Sequence, residues 1–329
     1  MDFLYAILGL LILLLAGDTL VRGAVNLSLR LGVPAMIVSL TIVAFGTSAP
    51  ELLVAVQSVR EHAPGIALGN VVGSNIVNIL LVLGVPALLS GINTGTCDIR
   101  RNYIAMMAAT AMFMFLAATS HRFAAPQGAI LLVGLALMVG SAFNEAMAHR
   151  RDHKARCLAE AEDAALCEDD PLEDVEGADP QMPWYKVILF IVLGLIGLPI
   201  GADVLVSAAS AIARDHGVSE TVIGLTLVAV GTSLPELATT VMAAVRGQAE
   251  VVLGNVIGSN MFNLLAIIGV AALVGPIPVE PMMLRFDLVI MFFTALLIAP
   301  FVFKGWHMGK RWGIVFVGLY GAYMTSLLG

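Results

Sequence analysis

Long apolar stretches separated by short polar joints make up most of this chain. A membrane-spanning helix needs roughly 20 mostly apolar residues. Ten stretches come close enough to that length to be candidate spans: 3–27, 33–59, 66–91, 102–119, 127–147, 184–213, 218–245, 250–274, 283–303 and 311–328. The pattern therefore predicts an all-α polytopic membrane protein with ten transmembrane helices.

Composition supports this class and excludes others. Of the 329 residues, 59% are hydrophobic and only 12% are charged, with a mean hydropathy of +0.94. A soluble domain carries roughly 25% charged residues. The first apolar run has no basic segment before it and no soluble domain after it, so it is better interpreted as a span than as a signal peptide. The lipid bilayer is the expected partner, no nucleic acid is expected, and no obligatory protein partner is evident.

One long polar segment, residues 150–183, divides the chain into a first half, 1–149, and a second half, 184–329. The segment opens basic and then becomes acidic, which is typical of a flexible or partly helical linker. With ten spans, 13 of the 17 Lys and Arg residues fall on one side of the membrane and four on the other. The basic side is cytoplasmic. The linker is therefore expected in the cytoplasm, and both termini outside a cell (inner) membrane.

The two halves repeat each other at a fixed offset of 185 residues. The hexapeptide at 46–51, GTSAPE, matches GTSLPE at 231–236, and GNVVGSNIVN at 69–78 matches GNVIGSNMFN at 254–263. Each half would hold five spans, an odd number, so the halves would be inserted upside down relative to each other. Inverted repeats are typical of secondary transporters, whose substrate sites lie near the middle of the membrane. Duplication kept only for packing is the alternative.

Glu51 and Glu236 each fall inside an apolar span and are repeat mates. An acidic side chain at that depth costs roughly 2.5–3.5 kcal/mol on insertion scales. Neither span offers an Arg or Lys at the same depth, so the two carboxylates require either protons or a bound cation.

The neighbouring residues favour a cation, because they supply oxygen atoms and hard cations bind oxygen. Pro50 and Pro235 lack an N–H, so each frees the helical carbonyl four residues earlier. Thr47 and Ser48 are expected on the same helical face as Glu51, and Thr232 and Ser233 likewise with Glu236. Two further sets recur every four residues: Asn70, Ser74 and Asn78, and Asn255, Ser259 and Asn263.

Other roles stay open for some of these residues. Gly69 with Gly73, and Gly254 with Gly258, are spaced for close helix packing, and buried amides can join helices. Asp18 and Asp203 are also repeat mates. They lie nearer to span ends, which favours helix-end solvation and leaves a gating role open.

At these motifs the chain resembles the Ca²⁺/cation antiporter superfamily, and within it the prokaryotic sodium/calcium exchanger-like proteins. The resemblance implies that Glu51 and Glu236 are ligands shared by Ca²⁺ and Na⁺, and that Thr47 and Thr232 lend backbone carbonyls to Ca²⁺. It further implies that flanking Na⁺ sites are formed by Ser48, Ser74, Ser233, Ser259 and the carbonyls of Ala44 and Ala229. Asn78 and Asn263 would fill the remaining central positions. Some relatives, including potassium-dependent exchangers, carry Asp at the position of Asn263, so the asparagine here weakens the case for K⁺ cotransport.

The sequence thus predicts an antiporter that exchanges Ca²⁺ for Na⁺ by alternating access. It is not expected to be an enzyme or to use a cofactor, the ions being its cargo. H⁺/Ca²⁺ exchange on the same scaffold is the nearest alternative. A cation channel, an intramembrane hydrolase and a purely structural membrane protein are weaker ones.

Overall fold

The structure, a computed structural model, describes residues 2–96, 99–160, 179, 181–217 and 229–328. Within these residues there are eleven helices of 12 or more residues. In chain order they are α1 (Asp2–Leu31), α2 (Ala35–Thr47), α3 (Ala49–Arg60), α4 (Pro64–Leu89), α5 (Arg100–Ser120), α6 (Ala125–Glu160), α7 (Trp184–Asp215), α8 (Leu234–Val245), α9 (Ala249–Val274), α10 (Met283–Lys304) and α11 (Lys310–Leu328).

Short elements complete the described fold. A helical turn, Ala229–Gly231, precedes α8, and a 3₁₀ turn, Thr94–Thr96, follows α4. Strand β1 (Arg122–Phe123) pairs antiparallel with β2 (Ile277–Pro278), with Phe123 opposite Ile277. These two residues of strand per side join the loop before α6 to the loop before α10, so they tie the two halves of the chain together.

Seven of these helices are long and apolar enough to cross a membrane: α1, α4, α5, α6 over Ala125–Glu145, α7, α9 and α10. The pair α2 and α3 makes an eighth, with a 42° bend between the two helices. These eight coincide with eight of the ten predicted spans and confirm a helical multi-pass membrane protein.

The other two predicted spans are not established by these helices. Residues 218–228, the first part of the seventh predicted span, lie outside the described residues, and α8 alone is a shorter apolar helix. The helix α11 coincides with the tenth, but it begins with Lys310 and Arg311 and is less apolar than the seven. The count of ten stays a prediction. Most of the linker, 161–178, is likewise not described, although α6 continues as far as Glu160.

The helices α1 and α7 pack lengthwise against each other, because small residues let their backbones approach. A Cβ atom placed on Gly9 would lie only 2.6 Å from the backbone nitrogen of Leu205, and one on Gly194 only 2.5 Å from the Cβ of Leu20. Gly9 and Gly194 are themselves separated by 185 residues. The close α1–α7 contact is therefore made by matching positions of the repeat.

The centre of the molecule is formed by α4 and α9, which are the most buried of the long helices. The helix α2 lies directly on α9 at two glycines. A Cβ on Gly254 would be 2.8 Å from the carbonyl oxygen of Met36, and one on Gly258 would be 2.5 Å from that of Leu40. The predicted packing role of Gly254 and Gly258 is confirmed. No described atom lies within 4 Å of a Cβ placed on Gly69 or Gly73, so close packing at those two glycines stays a prediction. The outer faces of α1, α6 and α7 instead expose many large apolar side chains, as expected for surfaces facing lipid.

Candidate ion site

Two helix breaks, at Ser48 and at Ser233, shape the interior of the molecule. Ser48 has φ −85° and ψ 4°, and Ser233 has φ −91° and ψ 5°, so both leave the helical conformation at equivalent positions of the repeat. Pro50 and Pro235 stand in the first turn of the helices that follow. Because proline cannot donate to the preceding turn, the helix ends and a new one begins.

This geometry corrects one expectation from the sequence. Thr47 and Ser48 were expected to share a face of one continuous helix with Glu51, but α2 ends at Thr47 and α3 begins at Ala49. Thr47 and Ser48 therefore lie at the break itself, and Glu51 lies in the first turn of the next helix. The second half has the same arrangement, with Glu236 in the first turn of α8. Carboxylates are favoured in the first turn of a helix by its dipole.

The two glutamates lie in the same buried region, each with only 1% of its surface exposed. The hydroxyl of Ser48 donates a hydrogen bond to Oε1 of Glu236 at 3.1 Å. The break in the first half thus contacts the acidic residue of the second half, and the carboxylates do not face lipid.

The central helices contribute amides at equivalent positions. Asn78 and Asn263 each begin a π-helical turn, Asn78–Val82 in α4 and Asn263–Ile267 in α9. Such turns often occur at functional sites. Asn78 donates from Nδ2 to Oδ1 of Asn260 at 3.1 Å, which joins α4 to α9. Asn260 was not among the predicted site residues, because the four-residue spacing selected the face of Asn255, Ser259 and Asn263.

A second kind of contact crosses between the halves in a reciprocal way. Thr47 faces Asn255, with 3.5 Å between Oγ1 and Oδ1, and Thr232 faces Asn70, with 3.4 Å between the corresponding atoms. Each threonine contacts the asparagine of the other half, and the offset of 185 residues relates the two pairs. Asn255 also donates from Nδ2 to Oγ1 of Thr240 at 3.1 Å.

Many buried oxygen atoms of this region accept or donate no hydrogen bond within the described part of the chain. They are Oε2 of Glu51 and Glu236, Oγ of Ser74, Ser233 and Ser259, and Oδ1 of Asn75, Asn78 and Asn263. An unsatisfied buried polar atom is costly, and a bound hard cation would satisfy such oxygens. Among the described residues no group of three or more His, Cys, Asp or Glu side chains is assembled, so the ligands here would be two carboxylates and neutral oxygens.

The predicted site residues are placed as follows. Ten are buried: Ala44, Thr47, Ser48, Glu51, Ser74, Asn78, Ser233, Glu236, Ser259 and Asn263. Thr232 is half-buried, and the backbone of Ala229 opens the helical turn Ala229–Gly231. Thr240 escaped the sequence analysis, because its repeat mate is Ala55 and a search for matching polar residues passes over it.

Asp18 departs from its expected role in helix-end solvation. Its carboxylate forms an ion pair with Arg22 at 3.0 Å and a second ion pair with Arg246, which lies at the end of α8. The side chains of Asp18 and Arg246 are only 19% and 9% exposed. Asp203, its repeat mate, is exposed.

The helical membrane fold, the two broken helices and the buried cluster of carboxylate, hydroxyl and amide oxygens define a membrane transporter of inorganic cations. The model of the family described as "Sodium/calcium exchanger protein" matches residues 1–143 and 186–329. This chain belongs to that family, and the resemblance inferred from the paired motifs is confirmed.

Individual relatives cover nearly the whole chain. Sodium/calcium exchanger MaX1 of Methanosarcina acetivorans is 34% identical, over 99% of this chain and 98% of its own length. The putative antiporter CaxA of Alkalimonas amylolytica is 37% identical, over 83% and 81%. A solved structure of the sodium-calcium exchanger NCX_Mj superposes with a TM-score of 0.80 at 29% identity, covering 99% of this chain and 98% of that one. The relatives are transporters, and so is this protein, which is not an enzyme.

Proposed function

We propose that this protein is a secondary active antiporter that exchanges Ca²⁺ for Na⁺ by alternating access at a carboxylate site near the middle of the membrane. The observation that carries the proposal is the burial of Glu51 and Glu236 in one region, surrounded by unsatisfied oxygens. Within the described part of the chain, no Lys or Arg forms an ion pair with either carboxylate. The relative MaX1 is named a sodium/calcium exchanger, and structures of NCX_Mj were obtained after soaking with Na⁺ and Ca²⁺. These two names support the choice of Ca²⁺ and Na⁺ as the exchanged ions.

The proposed architecture is ten transmembrane helices in two inverted repeats, residues 1–149 and 184–329, joined by a cytoplasmic loop, 150–183. The breaks at Ser48 and Ser233 and the π-helical turns at Asn78 and Asn263 support it, because both features recur at the same offset. The eleven helices correspond to ten spans when α2 and α3 count as one and α8 counts as the end of the seventh predicted span, 218–245. The excess of Lys and Arg on one side places both termini outside the cell membrane.

The proposed ligands are the twelve residues predicted from the motifs. Glu51 and Glu236 would bind either ion, because two carboxylates balance the charge of one Ca²⁺. The carbonyls of Thr47 and Thr232 and the amides of Asn78 and Asn263 would complete the central site. Ser48, Ser74, Ser233 and Ser259, with the carbonyls of Ala44 and Ala229, would form flanking Na⁺ sites. The unpartnered hydroxyls of Ser74, Ser233 and Ser259 support this part of the proposal.

The exchange would follow from charge. One Ca²⁺, or several Na⁺, neutralises the carboxylates, and an empty doubly charged site resists conversion between its outward-open and inward-open forms because charges in a low-dielectric interior are costly. Only an occupied site converts readily, so the two fluxes are coupled. No cofactor takes part, since the ions are the cargo, and the lipid bilayer is the surrounding partner.

H⁺/Ca²⁺ exchange is the second candidate, because protons could neutralise the same glutamates. The hydroxyls at each helix break favour Na⁺, because they supply neutral oxygen ligands of the kind that hard cations bind. A cation channel would pass current without a counter-ion. In both alternatives Glu51 and Glu236 would remain essential, so the counter-ion must be tested directly.

Reconstituted vesicles separate these alternatives. Purified protein in proteoliposomes loaded with Na⁺ should take up ⁴⁵Ca²⁺ when diluted into Na⁺-free buffer at equal pH, and an outwardly directed H⁺ gradient without Na⁺ should drive little uptake. Uptake driven by the H⁺ gradient alone would assign the counter-ion as H⁺. Uptake that needs neither gradient but follows an imposed voltage would indicate a channel and contradict antiport.

A further inference from the structure

The amide of Asn255 is held in one orientation by a residue outside the twelve proposed ligands. Asn255 is fully buried, and its Nδ2 donates to Oγ1 of Thr240 at 3.1 Å. The same nitrogen lies 3.5 Å from the carbonyl oxygen of Glu236. The carbonyl oxygen of Glu236 can only accept, so Nδ2 rather than Oδ1 lies on this side, and the hydroxyl of Thr240 accepts from it as well. The amide therefore turns its oxygen, Oδ1, towards Thr47 at the break of α2.

The equivalent amide in the first half lacks this contact. Asn70 accepts from Thr232 through Oδ1, but its Nδ2 has no hydrogen-bond partner among the described residues. The reason is the residue at the equivalent position, since Thr240 is replaced by Ala55. Alanine has no acceptor, so nothing at this position holds the amide of Asn70.

We propose that Thr240 is a positioning residue: together with the carbonyl of Glu236 it holds the NH₂ group of Asn255, so that the amide oxygen faces Thr47. A cation site gains from an oxygen at this point, because an NH₂ group would repel the ion and would take the hydroxyl of Thr47 as its own acceptor. This role rests on the proposed ion site, because Asn255 and Thr240 serve the exchange through Thr47 and Glu236. The two halves then differ, because among the described residues the NH₂ group of Asn255 has an acceptor and that of Asn70 has none.

The test compares Thr240→Val with Thr240→Ser in Na⁺-driven ⁴⁵Ca²⁺ uptake. Valine has nearly the shape of threonine but no acceptor, so Asn255 loses its partner. The concentrations of Ca²⁺ and Na⁺ giving half-maximal rate should rise by about tenfold, while the amount of folded protein stays the same. Serine keeps the acceptor and should restore wild-type values.

Several results would overturn the assignment. Wild-type half-maximal concentrations in Thr240→Val, or equal impairment in Thr240→Ser, would exclude a role through the acceptor. A lowered melting temperature with unchanged ion dependence would make Thr240 a structural residue only. If the wild-type protein itself fails to exchange Na⁺ for Ca²⁺, the proposed function fails; if it exchanges and only the Thr240 variants behave as wild type, the positioning role alone fails.

An independent observation concerns the contact between α1 and α8. The backbone of Gly17 lies against α8, such that a Cβ on Gly17 would be 3.0 Å from the carbonyl oxygen of Ala238. One residue further along α1, Asp18 forms its largely buried ion pair with Arg246 at the end of α8. The helix α1 thus contacts α8 between Ala238 and Arg246, on the C-terminal side of Glu236.

The first half does not have this arrangement. Ala238 is 7% exposed, whereas its repeat mate on α3, Leu53, is 71% exposed. The mates of Asp18 and Arg246 are Asp203 and Glu61, two acids that cannot pair. The matching face of α3 is therefore uncovered, and the ion pair exists in one half of the repeat only.

We infer that the Asp18–Arg246 pair is a latch that holds α1 on α8 and keeps the site closed towards the end of α8. Opening on that side requires the latch to separate, and two partly buried charges that lose each other oppose the separation. The pair therefore biases the protein towards the form in which the site is reached from the other side.

Cysteine labelling tests the latch. In a background with Cys97, Cys157 and Cys167 replaced by serine, Ala238→Cys is buried under α1 and should react slowly with a maleimide. Adding Arg246→Gln or Asp18→Asn should raise the rate by about tenfold or more. Arg22→Gln is the matched control, because Arg22 pairs with the same Asp18 but is 42% exposed, and exposed pairs contribute little.

Equal labelling rates in all four proteins, or an equal increase with Arg22→Gln, would overturn the latch. Circular dichroism and gel-filtration elution volume check that each variant is folded. An unfolded variant could also label quickly, but it would lose its helical signal and its monodisperse peak. Fast labelling of the folded Arg246→Gln variant supports the latch.

Discussion

Ser48 and Glu236 are 188 residues apart in the sequence, and the hydroxyl of Ser48 donates to the carboxylate of Glu236 at 3.1 Å. The reciprocal contact is not formed in the described structure, since Oγ of Ser233 and Oε2 of Glu51 have no hydrogen-bond partner there. The two halves of the repeat therefore build one shared region, but they do so unequally. This difference makes the contributions of repeat-related residues separable by experiment.

The two glutamates are expected to be indispensable for transport. Glu51→Gln or Glu236→Gln removes one of the two charges that would balance Ca²⁺, and Na⁺-driven ⁴⁵Ca²⁺ uptake should fall by about 100-fold or more. Glu61→Gln is the control, because Glu61 is an exposed acid at the end of α3. This variant should show normal uptake. Normal uptake in either glutamine variant, with the protein folded and inserted, would defeat the assignment.

Ser48→Ala and Ser233→Ala should differ in stability but agree in their response to Na⁺. Without ions, Ser48→Ala loses a hydrogen bond to a carboxylate and should destabilise the protein by about 1–2 kcal/mol, while Ser233→Ala loses none and should be close to neutral. Both remove a proposed Na⁺ ligand, so the rise in melting temperature on adding Na⁺ should shrink in both. Thermal unfolding in detergent, with and without Na⁺, measures both effects.

An unreduced Na⁺ stabilisation in both variants would remove the serine hydroxyls from the proposed Na⁺ sites. Equal destabilisation of the two variants in ion-free buffer would instead contradict the asymmetric hydrogen bond. Choline chloride at the same concentration controls for ionic strength.

The contact between α9 and α2 should tolerate no side chain at Gly258. A Cβ added at Gly258 would lie 2.5 Å from the backbone oxygen of Leu40. Because the backbone of α2 cannot easily shift, Gly258→Ala should destabilise the protein by about 1–3 kcal/mol. Gly140→Ala is the control, because no described atom lies within 4 Å of its Cβ position and alanine favours a helix. Equal melting temperatures for the two variants would show that α2 and α9 are not in close contact.

Glu61 and Lys310, which are both exposed, are expected to lie on opposite faces of the membrane. In a background without native cysteines, Glu61→Cys should react with an impermeant maleimide added to intact cells. Lys310→Cys should react only after the membrane is opened, because the basic side is cytoplasmic. Labelling of both from the same side would contradict the ten-span arrangement.

The sequence by itself determined the class of the protein, the repeat and the pair of buried acids. Apolar length, the 185-residue offset and the lack of a basic residue near Glu51 and Glu236 are local or repetitive signals, which need no knowledge of the fold. Gly254 and Gly258 were likewise assigned correctly to close helix packing, whereas their repeat mates Gly69 and Gly73 have no described atom within 4 Å of a Cβ position.

The tertiary structure alone decided which atoms meet. Proline predicts a lost donor, but only the fold ends the helix at Ser48 and so separates Thr47 from the helix that carries Glu51. Asn260, Thr240 and the Asp18–Arg246 pair were not found because their partners lie 15 to 228 residues away on other helices. Spacing along a chain identifies residues on one helix, whereas contacts between helices depend on how the helices pack.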